Sequence, residues 1–188
     1  MATIKIYSDY VCPFCYLGEQ ILEEVRRENP DMHIEVEWMP FELRPYPTPT
    51  LKPEDEYLPR VWRQSVYPMA AQLGVAIILP DISPQPYTHL AFEGFQYAKE
   101  KGKGAAYTNR MFRAFFKESK DIGDIEVLSS EVAEIGLDAA EFREVLESRK
   151  YKQQHKEALE QSYRQGIQAV PTFEIGGEFY QAYYRKSS

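Results

Sequence analysis

Residues 2–16 read ATIKIYSDYVCPFCY, and this stretch decides the fold. Ile4 and Ile6 belong to a short β-type run that leads directly into Cys12-Pro13-Phe14-Cys15, and an amphipathic helix pattern follows. The helix N-terminus offers unpaired backbone N–H groups and the positive end of the helix dipole, so Cys12 lies where a thiolate is favoured. Because the thiolate is the nucleophile of disulfide exchange, the pattern predicts a redox site at Cys12 and Cys15. Cys12 is expected to be partly exposed and Cys15 buried behind it, since the first residue of the motif lies at the tip of the helix.

Two other interpretations of the paired cysteines compete with redox chemistry. A zinc half-site would need further ligands, but the chain has no third cysteine, and His33, His89 and His155 are scattered. A structural disulfide across so short a loop would contribute only about 2 kcal/mol in the chain-entropy model. A 188-residue chain with a sizeable core has little need of that, so the sequence favours redox chemistry without a metal.

The composition limits the class of protein. A chain of 188 residues with 44% hydrophobic residues predicts one large domain, or one domain with an insertion. The net charge of −7 argues against nucleic acid and anionic membranes as partners. No apolar run approaches the roughly 18 residues of a transmembrane helix. The N-terminus lacks the pattern of a signal peptide, and both cysteines belong to one motif, so we expect a cytoplasmic protein.

The residues after the motif predict a βαβ unit. The first helix is expected over about 13–28, since proline is tolerated at its first position and Asn29-Pro30 ends it. A second strand follows, in which the apolar residues Ile34, Val36 and Trp38 alternate with Glu35 and Glu37. These glutamates are expected on a solvated sheet face. The alternative is a buried acid that relays a proton to the second cysteine.

A proline-rich crossing and a helical region come next. Residues 46–59 predict a segment without regular structure, and residues 60–149 predict an all-helical insertion. Gly74, Gly102 and Gly136 follow periodic stretches and are expected at helix ends. Asp138 and Glu141 suggest a capping box. The aromatic residues of this region are expected in the core rather than around a ligand: Tyr107, Phe112, Phe115 and Phe116.

The last part of the chain predicts a helix and a hairpin. The helix is expected over about 151–165 and ends at Gly166. Pro171 lies at the mouth of a strand, and Gly176-Gly177 fits a tight turn into the strand that follows.

The order of these elements resembles that of the DsbA-type oxidoreductases, specifically the FrnE branch. The resemblance covers residues 3 to about 181. The stretches that carry it are SDYVCPFCYLG at 8–18, PFELRP at 40–45, DIGDIEVL at 121–128, GLD at 136–138 and AVPTF at 169–173. It implies an α/β thioredoxin fold with a mixed sheet, formed by residues 1–45 and 150–188 and interrupted by the helical insertion.

The resemblance also implies roles for individual residues. Cys12 attacks, Cys15 resolves, and Pro171 is cis beside them, so that a substrate strand can pair with the backbone of Val170. Four residues around the thiols are expected to contact substrate: Pro13, Phe14, Val170 and Thr172.

One departure from the family concerns the C-terminus. The family continues past the hairpin into a helix that covers the sheet, whereas this chain stops at Ser188, so that helix is expected to be missing or truncated. An uncovered apolar face around Phe179 and Tyr183 would favour association, and we expect a homodimer or a higher oligomer.

Three functions follow as hypotheses. The first is a thiol–disulfide oxidoreductase or isomerase acting on protein or small-molecule thiols, with glutathione as a possible co-substrate and no resident cofactor. The second is a glutathione-dependent enzyme resembling the kappa-class glutathione transferases and 2-hydroxychromene-2-carboxylate isomerases, which usually carry serine at the position of Cys12. The third is a non-enzymatic module that binds a client. The second thiol, Cys15, favours the first, since a resolving thiol serves only exchange.

Overall fold

A computed structural model describes residues 2–181 of the chain. Its centre is a four-stranded mixed sheet with the order β2-β1-β3-β4. The strands are β1 (Ala2–Ser8), β2 (Ile34–Pro40), β3 (Thr172–Ile175) and β4 (Glu178–Tyr180). β1 pairs with β2 in parallel and with β3 antiparallel. Strand β1 is therefore central in the sheet. The segment that follows it, which carries Cys12, begins between the strands β2 and β3.

Helix α1 (Pro13–Glu28) makes the parallel crossover from β1 to β2. It begins and ends where the sequence predicts, because Pro13 occupies its first turn and Asn29 its C-cap. Gly18 gives the helix a close approach to the sheet: a Cβ there would lie 3.5 Å from the Phe173 ring.

The remaining helices form the insertion and the return to the sheet. Their bounds are α2 (Tyr57–Val61), α3 (Tyr67–Leu73), α4 (His89–Glu100), α5 (Gly104–Phe116), α6 (Ile125–Ala133), α7 (Ala139–Glu147) and α8 (Lys152–Arg164). A π-helical turn, Trp62–Val66, joins α2 to α3. Helix α2 begins inside the segment predicted to lack regular structure, because Pro59 falls in its first turns, where a missing N–H costs little.

The helix ends follow the sequence signals. Gly74, Gly102 and Gly136 all have positive φ and lie just after α3, α4 and α6, as predicted. Asp138 caps α7 by accepting hydrogen bonds from the backbone N–H groups of Ala140 and Glu141. The predicted capping box is only half formed, because the Glu141 carboxylate accepts a hydrogen bond from the Tyr97 hydroxyl instead.

Aromatic side chains fill the interior of the insertion. The four residues predicted for the core are at most 1% exposed: Tyr107, Phe112, Phe115 and Phe116. Tyr10, from the turn before α1, packs against Phe92 and Phe112 with ring centroids 4.7 and 5.6 Å away. The insertion therefore shares one core with the sheet domain.

The other sequence predictions about the sheet have mixed outcomes. Gly176 and Gly177 form the hairpin turn with φ of 59° and 82°. Glu35 is exposed and Glu37 is half-buried. The glutamates of β2 therefore lie on a solvated face of the sheet, as predicted, and neither of them is the buried acid that the alternative required. Phe179 is 43% exposed, as expected. Tyr183 and the expected absence of a C-terminal helix lie outside the described residues.

Candidate active site

The two cysteines lie at the junction of β1 and α1. Cys12 is the N-cap residue of α1, and its carbonyl oxygen accepts hydrogen bonds from the N–H groups of Cys15 (3.1 Å) and Tyr16 (3.4 Å). The Cys12 N–H donates to the Asp9 carbonyl at 3.1 Å. This turn fixes Cys12 at the positive end of the helix dipole and leaves Cys15 one turn inside the helix.

The sequence-based expectation that Cys12 is partly exposed is wrong. Cys12 is 5% exposed and Cys15 1%. The loop before β3 covers the first thiol, and the Cys12 sulfur donates to the Val170 carbonyl oxygen across 3.7 Å. Both thiols are free. Cys12 is the more exposed of the two cysteines, as predicted, although their exposed fractions differ by only a few per cent.

The surroundings make the two thiols chemically unequal. Burial raises the pKa of the Cys15 thiol well above its ordinary value, and the hydrogen bond and the charge of the neighbouring Cys12 raise it further. A thiol so placed stays protonated near neutral pH and can donate to the Cys12 sulfur. Such an arrangement is suited to a nucleophile at Cys12 and a second thiol that reacts only after the first has formed a disulfide.

The loop that faces the thiols contains Val170 and Pro171. The peptide bond between them is cis, as the resemblance implied. Val170 is buried, and its carbonyl is the group that meets Cys12. Thr172 is 1% exposed, and its hydroxyl donates to the Ala169 carbonyl at 2.6 Å. Its side chain thus helps to hold the loop, and the substrate-binding role of Thr172 stays a prediction.

Pro13 and Phe14 lie between the cysteines on the outer side of the turn. Both are half-buried. Phe14, Pro171 and Phe173 line an apolar cavity of about 350 Å³, which we call the α1 cavity. An apolar hollow beside the thiols offers a place for side chains next to a substrate sulfur, and the substrate-binding roles of Pro13 and Phe14 stay predictions.

A buried acid near the motif was missed by the sequence analysis. Asp9 is 1% exposed, and its carboxylate accepts the Leu43 N–H at 2.8 Å. Burial raises the pKa of Asp9 to about 7, although the Leu43 and Thr88 donors oppose that change. The signal in the sequence was an acid inside an otherwise apolar run directly before the cysteines.

Two general features of the described residues bear on the chemistry. Among residues 2–181, no three side chains of His, Cys, Asp or Glu are grouped so that they could hold a metal ion. Over the same range, none of the helices combines the length and the apolar character needed to cross a bilayer.

Comparison with known proteins identifies the family of the chain. Residues 3–183 match the DSBA-like thioredoxin domain. The chain belongs to the DSBA-like thioredoxin family. The Bacillus subtilis protein YwbO is 51% identical to this DSBA-like protein over 175 residues, which cover 92% of the chain and 86% of YwbO.

Solved structures share the fold of this DSBA-like protein at low identity. A 2-hydroxychromene-2-carboxylate isomerase has a TM-score of 0.75 and 18% identity, with 95% of this chain and 88% of the isomerase covered. DsbM of Pseudomonas aeruginosa, described as a cytosolic disulfide reductase, has a TM-score of 0.68 and 20% identity, with coverages of 95% and 87%. DsbM has also been solved with glutathione.

We predict that iodoacetamide alkylates Cys12 at least about tenfold faster than Cys15 near neutral pH, because thiolate content sets the rate. Mass spectrometry of peptides from the reduced protein measures both rates, and Cys12→Ser and Cys15→Ser provide single-thiol controls. Faster labelling of Cys15 would reverse the roles assigned to the two residues.

We predict that Asp9→Asn makes the protein more stable at pH 8 than the parent chain. The folded-state pKa of about 7 lies above the ordinary 3.8, so the folded parent retains a proton that the unfolded chain loses between these values. Its free energy of unfolding therefore falls as the pH rises through this window. Asn keeps the acceptor for Leu43 and cannot ionise.

The change is measured by urea unfolding at pH 4.5 and pH 8. The difference in unfolding free energy between Asp9→Asn and the parent chain should grow across this range by about 3 kcal/mol. Asp31→Asn, at an exposed carboxylate before β2, is the matched control and should show no such growth. An equal pH dependence in Asp9→Asn and the parent chain would show that Asp9 ionises normally.

Proposed function

We propose that this protein is a thiol–disulfide oxidoreductase that works through a mixed disulfide. The observation that carries the proposal is the unequal thiol pair at the start of α1. Cys12 occupies the helix N-terminus, and the raised pKa of Cys15 keeps the second thiol protonated. Family membership supports the same class of activity.

The proposed reaction balances as two exchanges. The Cys12 thiolate attacks one sulfur of a substrate disulfide, the substrate S–S bond breaks, and the other substrate sulfur leaves as a thiolate that takes up a proton. Cys15 then loses its proton and attacks the Cys12 sulfur, which releases the second substrate thiol. Two electrons pass from the dithiol to the substrate, and the reverse sequence oxidises a substrate dithiol.

We propose that substrate reaches Cys12 along the loop that ends in Pro171. The Val170 carbonyl oxygen lies 3.7 Å from the Cys12 sulfur and so places this backbone beside the reacting atom. An extended substrate segment can pair with the Val170 backbone while its disulfide meets Cys12. Pro13, Phe14 and Thr172 complete the proposed contact surface.

Glutathione is the proposed small-molecule partner, and the cytoplasm the proposed location. A glutathione thiolate can attack the Cys12–Cys15 disulfide and return the pair to the dithiol form, without any resident cofactor. The similarity to DsbM, described as cytosolic and solved with glutathione, supports both proposals. The confinement of both cysteines to one motif supports the location.

A glutathione-dependent isomerase is the second candidate, favoured by the shared fold with 2-hydroxychromene-2-carboxylate isomerase. Such chemistry gives no role to Cys15, whereas exchange requires it. A client-binding module without catalysis, the third candidate, gives no role to either thiol.

The deciding experiment compares Cys12→Ser and Cys15→Ser in insulin reduction with glutathione. We expect both variants to lose turnover, and Cys15→Ser to accumulate a mixed disulfide at Cys12 that mass spectrometry detects. Full isomerase activity on 2-hydroxychromene-2-carboxylate in Cys15→Ser, with no disulfide reduction in the parent chain, would favour the second candidate. Unchanged client binding in Cys12→Ser, with no turnover in the parent, would favour the third.

We also propose a homodimer that uses the end of the α1 cavity farther along α1 from Phe14, so that the end beside Phe14 and Pro171 stays open to substrate. Its rim carries exposed apolar side chains from α1 and its neighbours: Ile21 (40%), Val25 (36%) and Met32 (51%). Apolar groups clustered on one face support self-association, since scattered exposed residues would not form a continuous contact.

We predict that the parent chain sediments as a dimer at high micromolar concentration and that Val25→Glu shifts it toward the monomer, because a charge in the contact must be desolvated. Ile78→Glu, at an apolar residue that is 45% exposed elsewhere on the surface, should leave the dimer intact. A parent chain that sediments as a monomer would refute the proposal.

A further inference from the structure

A second cavity lies on the side of α1 that faces α5, just beyond the thiol-bearing turn. Its volume is about 560 Å³, and it is bounded by α1, β2 and the first half of α5. Neither cysteine lines it. Ligand pockets in proteins span roughly 300–1,000 Å³, so this cavity is large enough for a small organic molecule.

The floor of this cavity is the carboxyl group of Glu19. Its side chain is 4% exposed. Oε1 accepts hydrogen bonds from the side-chain amides of Asn109 at 3.1 Å and Gln20 at 3.4 Å. Oε2 has no hydrogen-bond partner among residues 2–181. This oxygen is not one of the fully enclosed side-chain atoms that lack a partner, so a ligand N–H group that enters the cavity can reach it and donate to it.

The charges around the cavity are predominantly negative. Glu19, Glu23 and Glu35 all line it, against the single guanidinium of Arg26. That guanidinium is already engaged, since it donates to Glu23 at 3.1 Å and to the Ile34 carbonyl at 3.0 Å. The floor carboxylate is therefore left without a counter-charge inside the cavity.

The remaining walls are apolar. Trp38, Val36 and Leu22 line one side, and Ala105 and Ala106 the other. A pocket that combines apolar walls with a majority of carboxylates among its charged groups favours a ligand that has a cationic end and an apolar body. An aromatic wall next to a carboxylate suits a cation better than an anion.

We propose that this cavity is a binding site for a small organic ammonium ion, whose N–H groups donate to Glu19 Oε2 and whose apolar part lies against Trp38 and Leu22. The site is independent of the proposed thiol–disulfide chemistry. It concerns a face of α1 to which the family assignment gives no role.

Ionisation of Glu19 accompanies this binding. Burial raises its pKa to about 7, so that a large fraction of the empty protein carries the proton at pH 6. An ammonium ion stabilises the carboxylate and drives that proton into the solvent. The other charged or titratable groups that act on Glu19 or feel its charge are Glu23 and Tyr16 on α1, Arg113 on α5 and Tyr10 in the turn before α1.

The test uses 2-phenylethylamine as the probe and the full chain, with calorimetry and the NMR signal of the Asn109 side-chain amide as readouts. We expect saturable binding that shifts this signal. At pH 6, calorimetry in two buffers of different ionisation enthalpy should show net proton release. The neutral 2-phenylethanol and the anionic 3-phenylpropionate should bind at least about tenfold more weakly, since a charge-assisted hydrogen bond is lost.

Glu19→Gln is the variant that isolates the charge, because Gln retains an acceptor for Asn109. It should weaken amine binding at least about tenfold. Glu24→Gln, at an exposed carboxylate of the same helix outside the cavity, is the matched control and should bind like the parent chain. Equal affinity of the parent for the amine and the alcohol, or undiminished amine binding by Glu19→Gln, would overturn the proposal. Insulin reduction measured alongside separates this result from the test of the proposed function.

Discussion

The contact between the Cys12 sulfur and the Val170 carbonyl oxygen joins residues 158 positions apart, and the arrangement of the site depends on it. It requires the turn after β1 to meet the loop before β3, and β1 and β3 are neighbours in the sheet. Pairing of the central strand with both β2 and β3 fixes that meeting point. The chemistry of α1 therefore rests on the pairing of a strand that ends four residues before Cys12.

The helical insertion supports this turn from the opposite side. Tyr10 packs into the aromatic core of the insertion, and the Asp9 carboxylate holds the Leu43 N–H at the start of the segment that leads into it. The buried pair of Glu42 and His155, with 2.5 Å between Oε2 and Nε2, joins the same segment to α8. The turn is thus enclosed on the side of the insertion, and the side of Phe14 and Pro171 is left for substrate.

Much of the fold could be predicted because its signals are local. Proline at the first helical position, Asn29-Pro30 at the helix end and paired glycines in the hairpin each act within a few residues, and α1 and the hairpin came out as expected. The burial of individual side chains could not be predicted in the same way, because segments distant in the sequence determine it. Sequence periodicity assigns Glu19 to the polar face of α1, and only the docking of α5 encloses it. Likewise, Cys12 is covered by a loop that the motif does not reveal.

Two carboxyl groups flank the thiol-bearing turn, and both destabilise the folded chain at high pH. Asp9 precedes Cys12 by three residues, Glu19 follows Cys15 by four, and burial raises the pKa of each to about 7. Asparagine and glutamine would keep the same hydrogen bonds without that penalty. A chain selected for stability alone would therefore carry amides at both positions, and the retention of ionisable groups points to a use for their charge. The charge of Glu19 would serve the proposed amine site, and the carboxylate of Asp9, which accepts the Leu43 N–H, holds the turn on which the nucleophile lies.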